Sequence, residues 1–468
     1  MMARALTRPV PNAVWQRALT PPPRIAPATP PRGDRLFTGL LRWTVPLWML
    51  GMLTVAQFVV LCRLTATRWP RDPLVRIVAH SWFAIAAAQA FAALLVGVRE
   101  GTPLTGIAAL FGFGVTGWIF AGLAIAAGAA HGLSSPRVVR ATAWLGLMIL
   151  LLAGVAVVGR LAGLPELYLS PAPLGMLLPH STTVRFYTSA AVYIREETLG
   201  EVMTRLILFF PWATALGLGG LGIFFISTLE RHQLWRLLGL AGGLTGVIFS
   251  WSRIAIATAL AVGAVHGFLR ASGRTRFAVI LLAIAILALL PFFGVEPPLD
   301  LSAMRHSVDS ARAGSSMARD LIYQKSWEGF LASPWIGHGW IGASVHPKEE
   351  LPIGSHSTIY GLLYTGGLPT FTCFIVAMLA TLAALAGRLY TLPSTADRAR
   401  IHVALALVLC LAAFAPFEEL FSLTLPCLFM FTWIGAALGC DPARSMPSAA
   451  VTTAATAPGD RALRFRSG

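Results

Sequence analysis

The residues of this chain best suited to chemistry fall in three places. The first is Phe249-Ser250-Trp251-Ser252-Arg253, between two apolar runs that together cover about 35 residues, so the chain must make a tight hairpin there. An arginine at that position has two readings. It can anchor a helix end by reaching to the lipid headgroups, or it can hold a phosphate, because a guanidinium keeps its charge and offers forked donors matched to phosphate oxygens. Ser252 beside it offers a hydroxyl to the same ligand.

The second place is the run from Ala311 to Glu328, which carries Arg312, Arg319, Tyr323, Lys325 and Trp327. From Ser316, a plausible cap, Met317, Leu321, Trp327 and Leu331 fall on one helical face, while Arg319 and Ser326 share the other. Ser333-Pro334, with Gly337 and Gly339, ends that helix. Taken alone it reads as an ordinary amphipathic helix at a membrane surface. The third place is Gly354-Ser355-His356-Ser357-Thr358, which opens the next apolar run. The unpaired amides and positive dipole end of that helix favour an anion and lower the pKa of a nearby imidazole. A histidine kept neutral in this way can accept a proton as a general base, although an isolated one is also a common interfacial side chain.

The elements that must position these residues are membrane helices. Of the 468 residues 56% are hydrophobic and only 12% charged, with a mean hydropathy of +0.70, so most of the chain has lipid as its solvent. A span needs about 20 mostly apolar residues. Such stretches predict helices at roughly 43–62, 76–97, 104–130, 141–160, 205–228, 234–250, 253–269, 277–294, 357–387, 402–416 and 419–438. The first of them is not a signal peptide, because it follows a long tail and lacks a small-residue cleavage site. The expected class is all-α: a polytopic transmembrane helix bundle of about 11–12 spans, with a large extracytoplasmic loop carrying a short amphipathic helix. Its expected divisions are a disordered basic tail (1–42), an N-terminal transmembrane bundle (43–294), the large loop (295–355), C-terminal transmembrane helices (356–438) and a second disordered tail (439–468).

The net charge of +16 comes from arginines in the tails and short connectors, where the positive-inside rule puts them, so no nucleic-acid partner is expected. Basic connectors at Arg270–Arg276 and Arg388–Arg400 belong in the cytoplasm, which sends the slightly acidic 295–355 loop and the 161–204 segment outside. Eleven spans would then strand the basic N-terminal tail outside. A hairpin hidden in 104–130, or a re-entrant 165–180, restores an even count with both tails inside. The five cysteines (Cys62, Cys373, Cys410, Cys427 and Cys440) lack the close spacing of metal sites and read as packing residues, and no metal or cofactor is expected.

The order of these pieces is more specific than any one of them. A Ser-X-Ser-Arg hairpin, an Arg-bearing loop helix, a Ser-Pro-X-X-Gly-X-Gly turn and a histidine opening a helix, followed by Gly366-Gly367-Leu368-Pro369, resembles the bacterial O-antigen ligase and polysaccharide polymerase family over roughly 250–372. A loop histidine followed by ten residues and a glycine is characteristic of that family, and His356 with Gly367 has the spacing. The family's arginine near the outer end of a middle helix maps onto Arg253, and its loop arginine onto Arg319. The ligase branch often has Leu four positions after the first arginine and Asn is common after the histidine, where this chain has Ala257 and Ser357.

The resemblance implies a metal-independent, inverting glycosyltransferase of surface or exopolysaccharide assembly, in a multi-pass chain of the bacterial cytoplasmic membrane with its active site facing the periplasm. Its partners would be a polyprenyl-diphosphate-linked glycan donor, a glycan acceptor, membrane lipids and a polysaccharide chain-length regulator. Arg253 and Arg319, supported by Arg312 or Lys325, would stabilise the leaving diphosphate, and His356 would take the proton of the acceptor hydroxyl. Tyr323, Trp327, Trp335 and Trp340 would stack on sugar rings or else form the interfacial aromatic belt. Arg185, Arg195 and Arg205 would guide the anionic substrate. A polymerase extending repeat units comes first, and a ligase acting on lipid A core second. A lipid-linked oligosaccharide flippase comes third, because no duplicated pattern is visible in the sequence.

Overall fold

The computed structural model describes residues 32–109, 117–169, 172–177, 187–198, 201–280, 313–346, 351–392 and 394–440. Long apolar helices begin where a capping side chain meets proline. Asp72 accepts the Leu74 amide ahead of α4 (Pro73–Arg99), and Ser135 accepts that of Val138 ahead of α7 (Pro136–Leu161). These two, with α10 (Arg253–Arg270) and α12 (Thr358–Thr391), are long and apolar enough to cross a bilayer. Around them pack α1 (Arg32–Arg42), α2 (Thr44–Met49), α3 (Leu53–Thr67), α5 (Pro103–Ala109), α6 (Phe120–His131), α8 (Ala213–Ser227), α9 (Gln233–Phe249), α13 (Thr395–Phe414), α14 (Leu420–Leu423) and α15 (Leu428–Leu438). A helix whose described part is 273–280 follows α10, and α11 (Ala313–Ala332) lies in the loop before α12. The chain is a polytopic helix bundle of a multi-pass membrane protein. Lipid offers no hydrophobic drive between its helices, so small residues bring backbones together: a Cβ at Gly242 of α9 would sit 1.9 Å from the Gly146 carbonyl of α7.

Polar contacts define the two ends of the bundle. At one end Arg140 grips Glu230 through two nitrogens, each at 2.7 Å, Arg388 pairs with Asp72, and the Trp433 indole donates to the Arg400 carbonyl. At the other, Arg205 donates to the Ser250 carbonyl, Tyr187 to that of Ser422, and the Thr358 amide to those of Ala415 and Glu418. The first is rich in arginine. The second carries the candidate chemistry.

Several sequence expectations need correction in the first half. Helix begins at Arg32, not after a disordered tail ending at 42; residues 1–31 lie outside the described set. The apolar run expected as one span at 43–62 is a hairpin instead. Asp34 accepts a hydrogen bond from Ser135 at the arginine-rich end, whereas the Leu50 carbonyl accepts the Leu174 amide at the other. Then α3 returns, so that the Leu64 carbonyl meets His131 Nε2. Gly51 allows the reversal with φ +72°, against the Thr188 carbonyl. Gly33 lies against His131 and Gly439 against Ala129, so Arg32 and Cys440 lie at the same end. The span expected at 205–228 begins only at Ala213, because the preceding segment is strand. Residues Leu167–Leu169 (β1), Ala190–Thr198 (β2) and Glu201–Leu208 (β3) form an antiparallel sheet in that order, with Tyr193 opposite Leu206 and Arg195 opposite Thr204. Val, Ile, Tyr and Thr recur through it, as a half-buried pleated surface favours.

Helix α12 is broken where the sequence reads Gly366-Gly367-Leu368-Pro369. Gly367 takes φ +66° inside an otherwise helical run. The turn after α11 fills the break: Leu368 donates to the Pro334 carbonyl, His338 to that of Tyr364 and Gly339 to that of Thr365, each at 2.8 Å. The Ser-Pro-X-X-Gly-X-Gly turn and the Gly-Gly-Leu-Pro segment are therefore two halves of one joint. A Cβ on Gly367 would lie 2.8 Å from the Pro334 oxygen and would also face the left-handed backbone penalty. Gly367→Ala is expected to destabilise the fold by about 1–3 kcal/mol, read as a lower melting temperature in detergent. Unchanged melting would show that the joint contributes nothing.

Candidate functional site

Helix α11 turns a mixed face inward. Ala318 and Ile322 are 3% and 0% exposed, while Met317 and Leu331 of the apolar stripe are 65% and 60% exposed. The inward face carries Arg319, Tyr323 and Ser326. Ser326 accepts the Gly354 amide at 2.8 Å, tying the helix to the turn that holds His356. Tyr323 shares its hydroxyl proton between the carbonyls of His356 (3.1 Å) and Pro416 (3.2 Å), and its ring stacks on Tyr360. Burial holds the Tyr323 phenol above its ordinary pKa.

His356 itself has φ +61°. That left-handed conformation is uncommon outside glycine, and its amide is fixed by donating to Glu419 Oε1 at 2.8 Å. Ser355 Oγ donates to the Pro352 carbonyl at 2.6 Å and lies 2.7 Å from His356 Nδ1. With its only proton committed to the carbonyl, that oxygen must accept from Nδ1–H. Geometry thus assigns the tautomer in which Nε2 keeps a free lone pair. Burial, then the charge of Arg319, lowers the imidazole pKa to about 4, against a small opposing pull from Glu196. The lowering matches the expected direction, but its causes are burial and the charge of Arg319 and not the terminus of α12, which Ser357 caps.

Arg319 Nη2 meets Glu418 Oε1 at 3.3 Å. The other oxygen of Glu418 accepts the Trp212 indole at 3.3 Å, and Thr214 donates to the same carboxylate at the amino end of α8. Burial raises the pKa of Glu418, while Arg319, Thr214, Trp212 and Arg205 pull it back. A quarter of the Arg319 side-chain surface stays open, against 9% for Glu418. The hairpin of Arg253 adjoins this cluster through α8. Positions Ser250, Ser252 and Ala255 pack on Gly217, one turn from Trp212, and Arg205 ties the Ser250 carbonyl to Glu196.

The structure thus brings Arg319, Tyr323 and His356 together, with the Arg253 hairpin on the adjoining helix at the same end of the bundle. Ser252 caps α10 by accepting the Ala255 amide, so its hydroxyl has a structural partner. Lys325 pairs with Glu328 on the exposed side of α11, and Trp327 packs on Phe330 in the outward stripe; neither faces His356. Arg312 and Arg185 lie outside the described residues.

Sequence reasoning missed Glu418 and Glu419. Their signal was present: they are the only acidic residues between Asp397 and Asp441, in an otherwise apolar stretch. Arg205, expected to guide the substrate, is 7% exposed and is engaged by Glu196 and the Ser250 carbonyl.

The chain is thus a polytopic bundle that holds Arg319 and His356 at one end, beneath a loop helix. Residues 238–375 match the family model described as O-Antigen ligase, a stretch that contains Arg253, Arg319, His356 and Gly367. This O-antigen ligase domain, over less than a third of the chain, supports an O-antigen ligase/polymerase-type membrane protein. No curated protein matches it.

Burial raises the Glu419 pKa from 4.5 to about 7, the His356 amide opposes this, and the charge of Glu418 adds to it. The folded state thus binds this proton more tightly than the unfolded chain. The resulting stability is fully present below pH 4.5 and is lost as pH rises through about 7. Glu419→Gln is expected to flatten the melting temperature across that window, and an unaltered pH profile would assign the dependence to another group.

Proposed function

We propose that this protein is a glycosyltransferase that moves a glycan from a polyprenyl diphosphate carrier to a sugar hydroxyl, extending repeat units as a polymerase. Its arginine-rich end faces the cytoplasm and its site end faces the periplasm of a bacterial inner membrane, as the positive-inside rule favours. The observation that carries this reading is the knot in which Arg319 meets Glu418 while the adjacent Glu419 holds the amide of His356.

In the reaction, the acceptor oxygen attacks the anomeric carbon from the face opposite the diphosphate, so the configuration inverts. The carbon–oxygen bond to the diphosphate breaks as the new glycosidic bond forms, and the hydroxyl proton passes to His356 Nε2. Negative charge grows on the departing diphosphate. Arg319, with Arg253 on the neighbouring hairpin, stabilises it, and fixed cations in a partly dehydrated site do so without reorganising. Trp212 and the Tyr323–Tyr360 stack give the surroundings an apolar, aromatic wall suited to a sugar face. The polymerase reading is favoured over the ligase by Ala257 and Ser357, which depart from the ligase pattern.

The protein reconstituted in nanodiscs with lipid-linked repeat units alone is expected to produce a ladder of extended chains. A ligase would produce none without a lipid A core acceptor. His356→Ala is expected to lower bond formation about 10²–10⁴-fold with donor binding intact, and Arg319→Ala about 10²–10³-fold. Loss of translocation without loss of bond formation would instead identify a carrier.

The base must be unprotonated to act, and His356 sits near 4. The value of kcat/KM is therefore expected to stay flat as pH falls through 6.5, where an ordinary histidine half-protonates, and to decline only toward 4. In Arg319→Lys the cation remains and the limb stays low; in Arg319→Ala the limb moves up. An acid limb centred at 6.5 or above in the wild type would remove His356 from this role.

A further inference from the structure

Glu418 lies outside the matched stretch of 238–375, yet three stretches of the site converge on it. Its carboxylate takes Arg319 of the loop helix on one oxygen and the Trp212 indole on the other, with Thr214 beside them. Its backbone carbonyl takes both the amide and the hydroxyl of Thr358, two residues after His356, at 2.9 Å and 2.6 Å. The carboxylate is therefore pinned before Arg319 reaches it. Arg319, Thr214, Trp212 and Arg205 favour its charged form against the burial that raises its pKa.

We propose that Glu418 is a positioning residue that fixes the direction of the Arg319 guanidinium, so that its open face meets the leaving diphosphate. The proposal rests on reading Arg319 as the diphosphate ligand. A long arginine side chain explores many rotamers, and a catalytic cation that must settle as charge develops stabilises the transition state less than one already placed. Glu418 supplies that placement on one nitrogen, Nη2, while a quarter of the side chain remains open. The neighbouring Glu419 does the same for the His356 turn through its amide. Two adjacent carboxylates, directed to different partners, thus register the cation against the base.

A double-mutant cycle on the full-length protein in nanodiscs, supplied with lipid-linked repeat units, tests this. Glu418→Gln preserves volume and can still accept from Trp212, but it loses the charge that holds Arg319. It is expected to lower kcat about 10-fold while the donor KM changes little, and Glu418→Asp is expected to recover part of the loss. Because Glu418 acts through Arg319, the loss should largely vanish in an Arg319→Lys background, where no fork remains to be aimed. Wild-type turnover in Glu418→Gln overturns the proposal, as do losses that multiply in the double variant, since those would mark Glu418 as support for the fold alone. Should Glu418→Gln fail to fold, the same cycle is run with Glu418→Asp and read by the same two outcomes. Arg319→Lys and Arg319→Ala are measured in parallel. If both turn over at the wild-type rate, the diphosphate role of Arg319 falls, a result distinct from failure of Glu418 alone.

Discussion

A carboxylate taken out of water beside a membrane is expensive unless its charge and its lone pairs are all answered. Glu418 answers that demand with a guanidinium, an indole and a threonine hydroxyl, drawn from α11, α8 and the residue that introduces α8. Satisfying this one group requires the loop helix to dock, the hairpin beside α8 to close and the start of α12 to meet the turn after α13. The rest of the site follows from that meeting. His356 takes its strained conformation because the next carboxylate along the chain is there to receive its amide.

The loop helix sets a mixed face into the protein and leaves an apolar stripe exposed. Ala318, Ile322 and Ser326 are buried with Arg319 and Tyr323 beside them, whereas Met317, Trp327 and Leu331 face out together with Lys325 and Glu328. At a membrane surface the exposed apolar stripe has lipid to enter, and the inward Arg319, Tyr323 and Ser326 have polar partners. The turn that follows the helix then enters the bundle between α4 and α12. Gly339 lies against Ala93 and Val96, and Gly337 against Tyr364. The freed carbonyls of the broken α12 are answered by amides of that turn, which is how irregular backbone is tolerated at membrane depth. The site is thereby anchored to the transmembrane helices instead of resting on a surface loop.

Family resemblance covers only one side of this assembly. The arginines, the histidine and the broken helix lie inside the matched stretch. The acidic pair and the sheet bearing Arg205 and Glu196 lie outside it, and they neutralise, orient and bury what the matched residues supply. The candidate site residues and several of the groups that contact them thus lie in different parts of the chain.

Much was legible from residue types and spacing. The lipid environment, the hairpin at Arg253, the loop helix with Arg319 on its polar face, and the histidine ahead of an apolar run all follow from local pattern, because each depends on neighbours within a turn or two. The first hairpin was not legible. Residues 32–67 form nearly continuous apolar pattern, and the reversal at Gly51 depends on a contact with Thr188 far along the chain. The sheet was hidden for a related reason, since β2 and β3 are too charged to stand out by hydropathy and gain their order from pairing. Glu418 and Glu419 were visible as letters but not as a device: which carboxylate faces the arginine and which the histidine is set by the turn after α13. Local chemistry determined what each residue can offer; only packing decided which offers meet, because the energies that select partners act between segments nearly a hundred residues apart.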